Sequence, residues 1–130
     1  MSRPPWRILI VDDSENVREM YAFYLREVGC HVEVASDGDA GVQLAERGSF
    51  DVIVMDFAMP KMDGREGTRR LKADGRTRHI PIIVLTGEAN GGAAAALANG
   101  AASYCHKPCP AEKLEEDIER VLARGGQATP

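Results

Sequence analysis

Five residues have the types and positions for metal-assisted phosphoryl chemistry: Asp12, Asp13, Asp56, Thr86 and Lys107. Each stands just after, or at the end of, a short apolar run. Three carboxylates drawn into one crevice repel each other, and burial makes their charge costlier. A hard divalent cation relieves both costs. Mg²⁺ favours carboxylate oxygens and keeps several waters, which leaves room for a phosphoryl oxygen. A lysine opposite the acids adds a fixed positive charge, and a threonine adds a short hydroxyl donor. Such a set suits a carboxylate that attacks phosphorus and holds the product. The cation and the lysine then neutralise charge growing on the transferring oxygens. Packing alone is a poor reason to place acids and a lysine at one sheet edge.

The elements that must position these groups follow from the apolar pattern. Val52-Ile53-Val54-Met55 is continuous enough for a strand buried on both faces, and Asp56 closes it. Pro60 breaks the pattern, Asp63 can cap a helix and Gly64 allows a tight turn. Arg7–Val11 is a second buried-strand pattern ending on Asp12-Asp13, with Ser14 as a helix cap. Val17, Met20, Tyr21, Tyr24 and Leu25 recur at helical spacing up to Gly29. A weaker strand spans His31–Ala35, and a helix with Val42 and Ala45 inward spans Gly38–Arg47. The spacing predicts further helices over about Asp63–Ala73, with Gly67 and Leu71 inward, and over Asn90–Asn99. It predicts strands over Ile80–Leu85 and Ala102–Cys105, and a last helix from Pro110 with Leu114, Ile118, Val121 and Leu122 on one face. Strands alternating with helices through short loops imply a doubly wound α/β fold with a five-stranded parallel sheet. Its site lies beyond the carboxyl ends of the strands, where all five residues fall.

Composition narrows the function classes. A chain of 130 residues fits one domain, with 1–6 a leader, 7–124 the folded unit and 125–130 a tail. Sixteen basic against twenty acidic residues, net −4, argue against general nucleic-acid affinity, so no direct DNA binding is expected. No run approaches the roughly 18 apolar residues of a membrane span, and the start lacks a signal-peptide core. A soluble cytoplasmic protein without membrane insertion is the simplest reading. Cys30, Cys105 and Cys109 are too few and too scattered for a disulfide framework.

The chain resembles the receiver domain of two-component response regulators. The motifs are Asp12-Asp13, the segment Asp56-Phe57-Ala58-Met59-Pro60-Lys61-Met62-Asp63-Gly64, Thr86-Gly87-Glu88, and Gly100–Tyr104 running into Lys107-Pro108. In order and at the family's spacing they are far more specific than any one alone. The resemblance implies a flavodoxin-like (βα)5 sandwich and a phosphorelay switch. Asp56 would accept a phosphoryl group from a sensor histidine kinase or a histidine phosphotransfer protein. Asp13, Asp56 and the backbone carbonyl of Ala58 would hold Mg²⁺, with Mn²⁺ able to substitute and Asp12 acting through water. Lys107 would pair with a phosphoryl oxygen across a cis bond to Pro108. Thr86 and Tyr104 would switch a surface read by a downstream protein target, with a phosphorylation-dependent dimer through the fourth helix, fifth strand and fifth helix. The domain would catalyse its own phosphorylation and dephosphorylation, with no separate substrate.

The family tunes hydrolysis through the residues two after the acceptor and two after the threonine, here Ala58 and Glu88. Ala58 offers no side-chain hydrogen bond, so Glu88 should carry the tuning, and Glu88→Ala should change the dephosphorylation rate. Gly91 and Gly92 cost about 1 kcal/mol each within a helix, which favours a longer loop and a late helix start over a helix kept loose for signalling. Cys105, His106 and Cys109 suggest zinc only weakly; Cys105 reads better as a small core residue and His106 as a surface residue. His31 and His79 read as structural or solvent-facing. The basic residues Arg65, Arg69, Arg70, Lys72, Arg76 and Arg78 read as a solvated face rather than an acidic partner's dock. Met20, Tyr21 and Tyr24 read as core and near-surface packing, with the helix's outer face open to a kinase.

Two other classes compete. A haloacid-dehalogenase-like phosphatase needs an aspartate two after the first, where Ala58 stands. A flavin protein needs a hydroxyl- or glycine-rich phosphate loop, where Asp12-Asp13-Ser14-Glu15 would repel phosphate. With no output module after Arg124, the chain reads as a stand-alone receiver or as a receiver excised from a larger regulator.

Overall fold

A computed structural model describes residues 5–59, 63–87 and 92–124. Five strands and five helices alternate: β1 Arg7–Val11, α1 Glu15–Glu27, β2 His31–Ala35, α2 Gly38–Arg47, β3 Val52–Asp56, α3 Gly64–Ala73, β4 Ile82–Thr86, α4 Gly92–Ala98, β5 Ser103–His106 and α5 Ala111–Ala123. All strand pairs are parallel, in the order β2-β1-β3-β4-β5. Strand order therefore reverses at β1 and β3, whose carboxyl ends carry Asp12 and Asp56.

The sheet is buried on both faces because alternate side chains point to opposite sides. Ile8, Ile10, Val54, Ile83 and Leu85 pack with Tyr21 and Leu25 of α1 and Leu114 and Ile118 of α5. Leu9, Val11, Ile53, Met55 and Val84 pack with Val42, Ala45, Leu71 and Ala96 of α2, α3 and α4. Along β3, β4 and β1 from Ile8 onward neither face is left for water, which is why these central strands read as unbroken apolar runs, whereas the edge strands β2 and β5 are partly exposed.

Ser14, Asp37 and Asp63 cap α1, α2 and α3, each accepting a bond from a backbone N–H three residues on. Gly64 has a tighter duty. A Cβ there would lie 2.2 Å from the Asp56 carbonyl oxygen, so only glycine lets the α3 start press against the end of β3.

Several boundaries and one buried position differ from expectation. β4 starts at Ile82 rather than Ile80, because Pro81 has no N–H for the ladder and Ile80 N–H turns back to Thr77 O at 2.9 Å. β3 includes Asp56 itself, and β5 runs one residue later than Ala102–Cys105. α4 is described from Gly92 to Ala98, one residue short of Asn99 at its end, and the expected start at Asn90 and Gly91 lies outside the described residues. Met20 is 46% exposed, since the buried arc of α1 centres on Tyr21, Ala22 and Leu25 and residue 20 lies a helical step to one side. His31, His79 and His106 are exposed, as expected.

Candidate functional site

Asp12 leaves β1 with its backbone N–H bonded to Ala35 O at 3.1 Å and its carbonyl accepting from Arg18 Nη1 at 2.8 Å. Its side chain is fully buried, and Oδ1 accepts from Ser14 N–H at 2.9 Å. Asp56 is buried at the end of β3, where Oδ1 accepts from Lys107 Nζ at 2.9 Å and from Ala58 N–H at 3.1 Å. Lys107 Nζ stands 3.8 Å from Asp12 Oδ2, an ion pair too long for a hydrogen bond. Asp12 Oδ2 and Asp56 Oδ2 are buried with no hydrogen-bond partner among the described residues.

Asp13 completes the cluster from the exposed side. One carboxylate oxygen from each of Asp12, Asp13 and Asp56 lies within 4.8 Å of the others. Burial pushes the Asp12 carboxyl above the usual carboxylate range, against the lowering bond from Ser14; the Asp56 charge adds to the rise and Lys107 offsets part of it. Two orphaned buried oxygens and a third acid on the open side form an oxygen-only donor set with surplus negative charge. Such a set fits a hard divalent cation such as Mg²⁺.

The other expected residues fall around this cluster. Thr86 is buried at the end of β4, and its carbonyl accepts from Lys107 N–H at 2.8 Å. The Lys107–Pro108 bond is cis, as expected. Tyr104 lies on the outer side of β5, 36% exposed, with its ring edge-to-face with His106. Ala58 is exposed beside Asp56, to which its N–H donates. Glu88 lies outside the described residues.

Two features near Lys107 were not foreseen. Cys105 and Cys109 are joined in a disulfide, with Cα atoms 6.2 Å apart, although the three cysteines read as too few and too scattered for a disulfide framework; Cys105 is buried in the core, as expected. The turn at Lys107-Pro108 brings the two ends together, which a count of three cysteines does not reveal. This bridge also removes the thiolates that a zinc site would need. The second feature is Tyr21, whose hydroxyl donates to Cys109 O at 2.6 Å. Burial first, then the charges of Asp12 and Asp56, push that hydroxyl up to about 12, so it remains a donor. Helical spacing placed Tyr21 in the core, but nothing in the sequence pairs it with residue 109.

Residues 8–119 match the response regulator receiver domain family. The chain belongs to that family. It is 37% identical to the chemotaxis protein CheY of Pseudomonas aeruginosa over 123 residues, covering 91% of this chain and 97% of that one. It is 33% identical to chemotaxis protein CheY-3 of Vibrio cholerae, covering 91% and 92%. The fold superposes on Vibrio cholerae CheY4 with a TM-score of 0.86 at 33% identity, over 92% of this chain and all of that one. It also superposes on the receiver domain of a Pseudomonas aeruginosa sensor histidine kinase, TM-score 0.84 at 32% identity, over 92% and 99%. That structure holds a magnesium ion coordinated in its active-site cleft. The protein is thus a receiver of the CheY type, a component of two-component signalling.

Proposed function

We propose that Asp56 is the phosphoacceptor of this receiver and that the reaction depends on Mg²⁺. The observation that carries this reading is the 2.9 Å contact of Lys107 Nζ with Asp56 Oδ1 beside two buried carboxylate oxygens that have no hydrogen-bond partner among the described residues. Asp13, Asp56 and the Ala58 carbonyl would hold the ion, with Asp12 acting through water; Mn²⁺ shares enough of this oxygen chemistry to substitute. When bound, Mg²⁺ supplies positive charge against the acids and the phosphoryl oxygens.

An Asp56 oxygen attacks the phosphorus of a phosphohistidine on a histidine kinase or phosphotransfer protein. The P–O bond forms as the P–N bond breaks, and the departing imidazole takes a proton. Lys107 moves with the growing charge from the carboxylate to a phosphoryl oxygen, which needs little displacement from its present position. The Thr86 hydroxyl donates to the phosphoryl group, and Tyr104 turns inward from its half-exposed position. That rearrangement changes the α4-β5-α5 surface that a downstream protein, or a second copy in a dimer, would read. No helix among the described residues is long and apolar enough to cross a membrane, and a cytoplasmic setting suits such a relay.

The test is acetyl phosphate labelling with and without Mg²⁺, on wild type and Asp56→Asn, read by intact mass. One Mg²⁺-dependent adduct, absent in the variant, is expected. An adduct that persists in Asp56→Asn, or forms equally well in excess chelator, would overturn the assignment.

A further inference from the structure

We propose that Cys105 and Cys109 form a reversible thiol–disulfide site that sets how firmly Lys107 is held against Asp56. Lys107 lies midway along the closed loop. Both bridged residues are buried, the Lys107 N–H is tied to Thr86 O at 2.8 Å, and the Cys109 carbonyl is tied to the Tyr21 hydroxyl at 2.6 Å. The bridge therefore closes a short clamp around the one cation that touches Asp56 Oδ1 among the described residues.

Folding has no evident need of this bridge. The loop it closes spans a sequence separation of four, so it constrains little of the unfolded chain. Two apolar clusters already fill both faces of the sheet. What the bridge does restrict is the local freedom of residues 106–108, and that freedom bears on the site.

Though buried, the bridge borders on its Cys105 side a groove through which a reductant would approach. Cys105 lines an open groove between β5 and α5, together with His106, Pro108, Lys113 and Arg120. Lys113 and Arg120 share a single carboxylate, that of Asp117, which leaves the groove with a positive surplus. An anionic low-molecular-weight thiol such as glutathione fits that charge. Its thiolate attacks one sulfur, the Cys105–Cys109 bond breaks, and the departing sulfur takes a proton. A second thiolate attacks the mixed disulfide and releases the oxidised small disulfide. The protein gains two electrons and two protons, and two small thiols become one disulfide. Oxidation by the small disulfide is the reverse.

The effect on labelling rests on Asp56 being the acceptor, but the loosening of the loop does not. Wild type would be equilibrated in oxidised and in reduced glutathione, and bridge closure read as a two-dalton mass difference. Amide exchange at Lys107 and acetyl phosphate labelling would then be measured in each state. Reduction should open the bridge reversibly, speed exchange at Lys107 and slow labelling on the order of tenfold, less than the hundredfold that a full ångström of misplacement can cost. The Cys105→Ser/Cys109→Ser variant should match reduced wild type in both buffers, and Cys30→Ser should match wild type. Equal exchange and equal labelling in the two states would overturn the proposal, as would a bridge that excess reduced glutathione leaves closed. Wild type alone decides these outcomes, so a variant that fails to fold does not remove the test. If neither state is labelled, the acceptor assignment fails while exchange at Lys107 still decides the clamp.

Discussion

Asp12 and Asp56 at the carboxyl edge of the sheet, and Asp117 on α5, are buried carboxylates with opposite surroundings. At the sheet edge the two acids, joined by Asp13, face one lysine, Lys107. On α5 one acid faces two cations, because Asp117 Oδ1 takes both Lys113 Nζ at 2.9 Å and Arg120 Nη2. All three buried acids keep an Oδ2 without a hydrogen bond among the described residues. An orphaned oxygen is therefore not what separates a ligand site from a structural one. The leftover charge is. Asp117 is neutralised by side chains about half exposed to water, and its helix gains i,i+3 and i,i+4 pairs. Among the described residues the sheet edge keeps a negative surplus, which a cation from outside would balance.

The largest expected effect tests the cation at the sheet edge. Lys107→Ala strips the acids of their only ion-pairing partner among the described residues. The initial rate of acetyl phosphate labelling should fall by about 10²–10³-fold, the usual worth of one preorganised group facing transition-state charge. A fall smaller than threefold would mean that the metal-type donor set alone balances the edge, and the contrast with Asp117 would lose its second half. Next in size is Asp117→Asn. It should cost about 1.5–3 kcal/mol in urea unfolding, the range for hydrogen bonds to charged groups. Labelling should be unchanged. If labelling slowed as well, the two regions would be coupled through α5 and β5 rather than independent.

The two regions were not equally legible in the sequence. Asp12, Asp56, Thr86 and Lys107 each stand at the end of a strand pattern, and doubly wound topology sends every such end to one edge, so the sequence pattern alone groups them. Asp117 sits in Glu115-Glu116-Asp117, a run that reads as solvated surface. Its burial depends on how α5 rolls against β5, and the i−4 and i+3 cations that make burial tolerable look like ordinary helix salt bridges. The Cys105–Cys109 bridge was hidden for a related reason. Spacing of four does not bring two sulfurs together; a particular turn at Lys107-Pro108 does. Lys72 was grouped with a solvated basic face, yet its Nζ donates to Ile80 O at 2.7 Å and Arg78 O at 3.0 Å, closing the loop into β4. Local pattern located the strands and the acids. Contacts between elements distant in sequence decided the rest.

A third test acts on the negative surplus itself. Asp12→Asn removes one buried charge beside Asp56 while keeping an acceptor for Ser14 N–H. It should raise stability at pH 7 by about 0.5–2 kcal/mol, the common size of a single stabilising substitution, and weaken Mg²⁺ binding measured by calorimetry. The sign with pH follows from the raised Asp12 carboxyl. The folded protein takes up this proton more readily than the unfolded chain. The stability linked to it is thus fully present below the unfolded value of 3.8 and is lost as pH rises through the folded value. The advantage of Asp12→Asn should therefore be greatest near neutrality and shrink on acidification. An advantage independent of pH would mean that shape, not charge, governs Asp12.

The smallest expected effect sets the baseline for all three. Arg70 pairs with Asp39 at 3.6 Å and with Glu66 at 3.7 Å, and all three side chains are about half exposed. Solvent screens such pairs, and holding long side chains in one geometry costs entropy, so Arg70→Ala should change urea-unfolding stability by less than about 0.5 kcal/mol. Arg70 bridges α2 to α3, so its loss also tests whether a pair between elements is worth more than one within a helix. A loss equal to that of Asp117→Asn would show that exposed ion pairs matter as much as the buried acid on α5. Charge balance around a buried oxygen would then no longer be what distinguishes α5 from the rest of the surface.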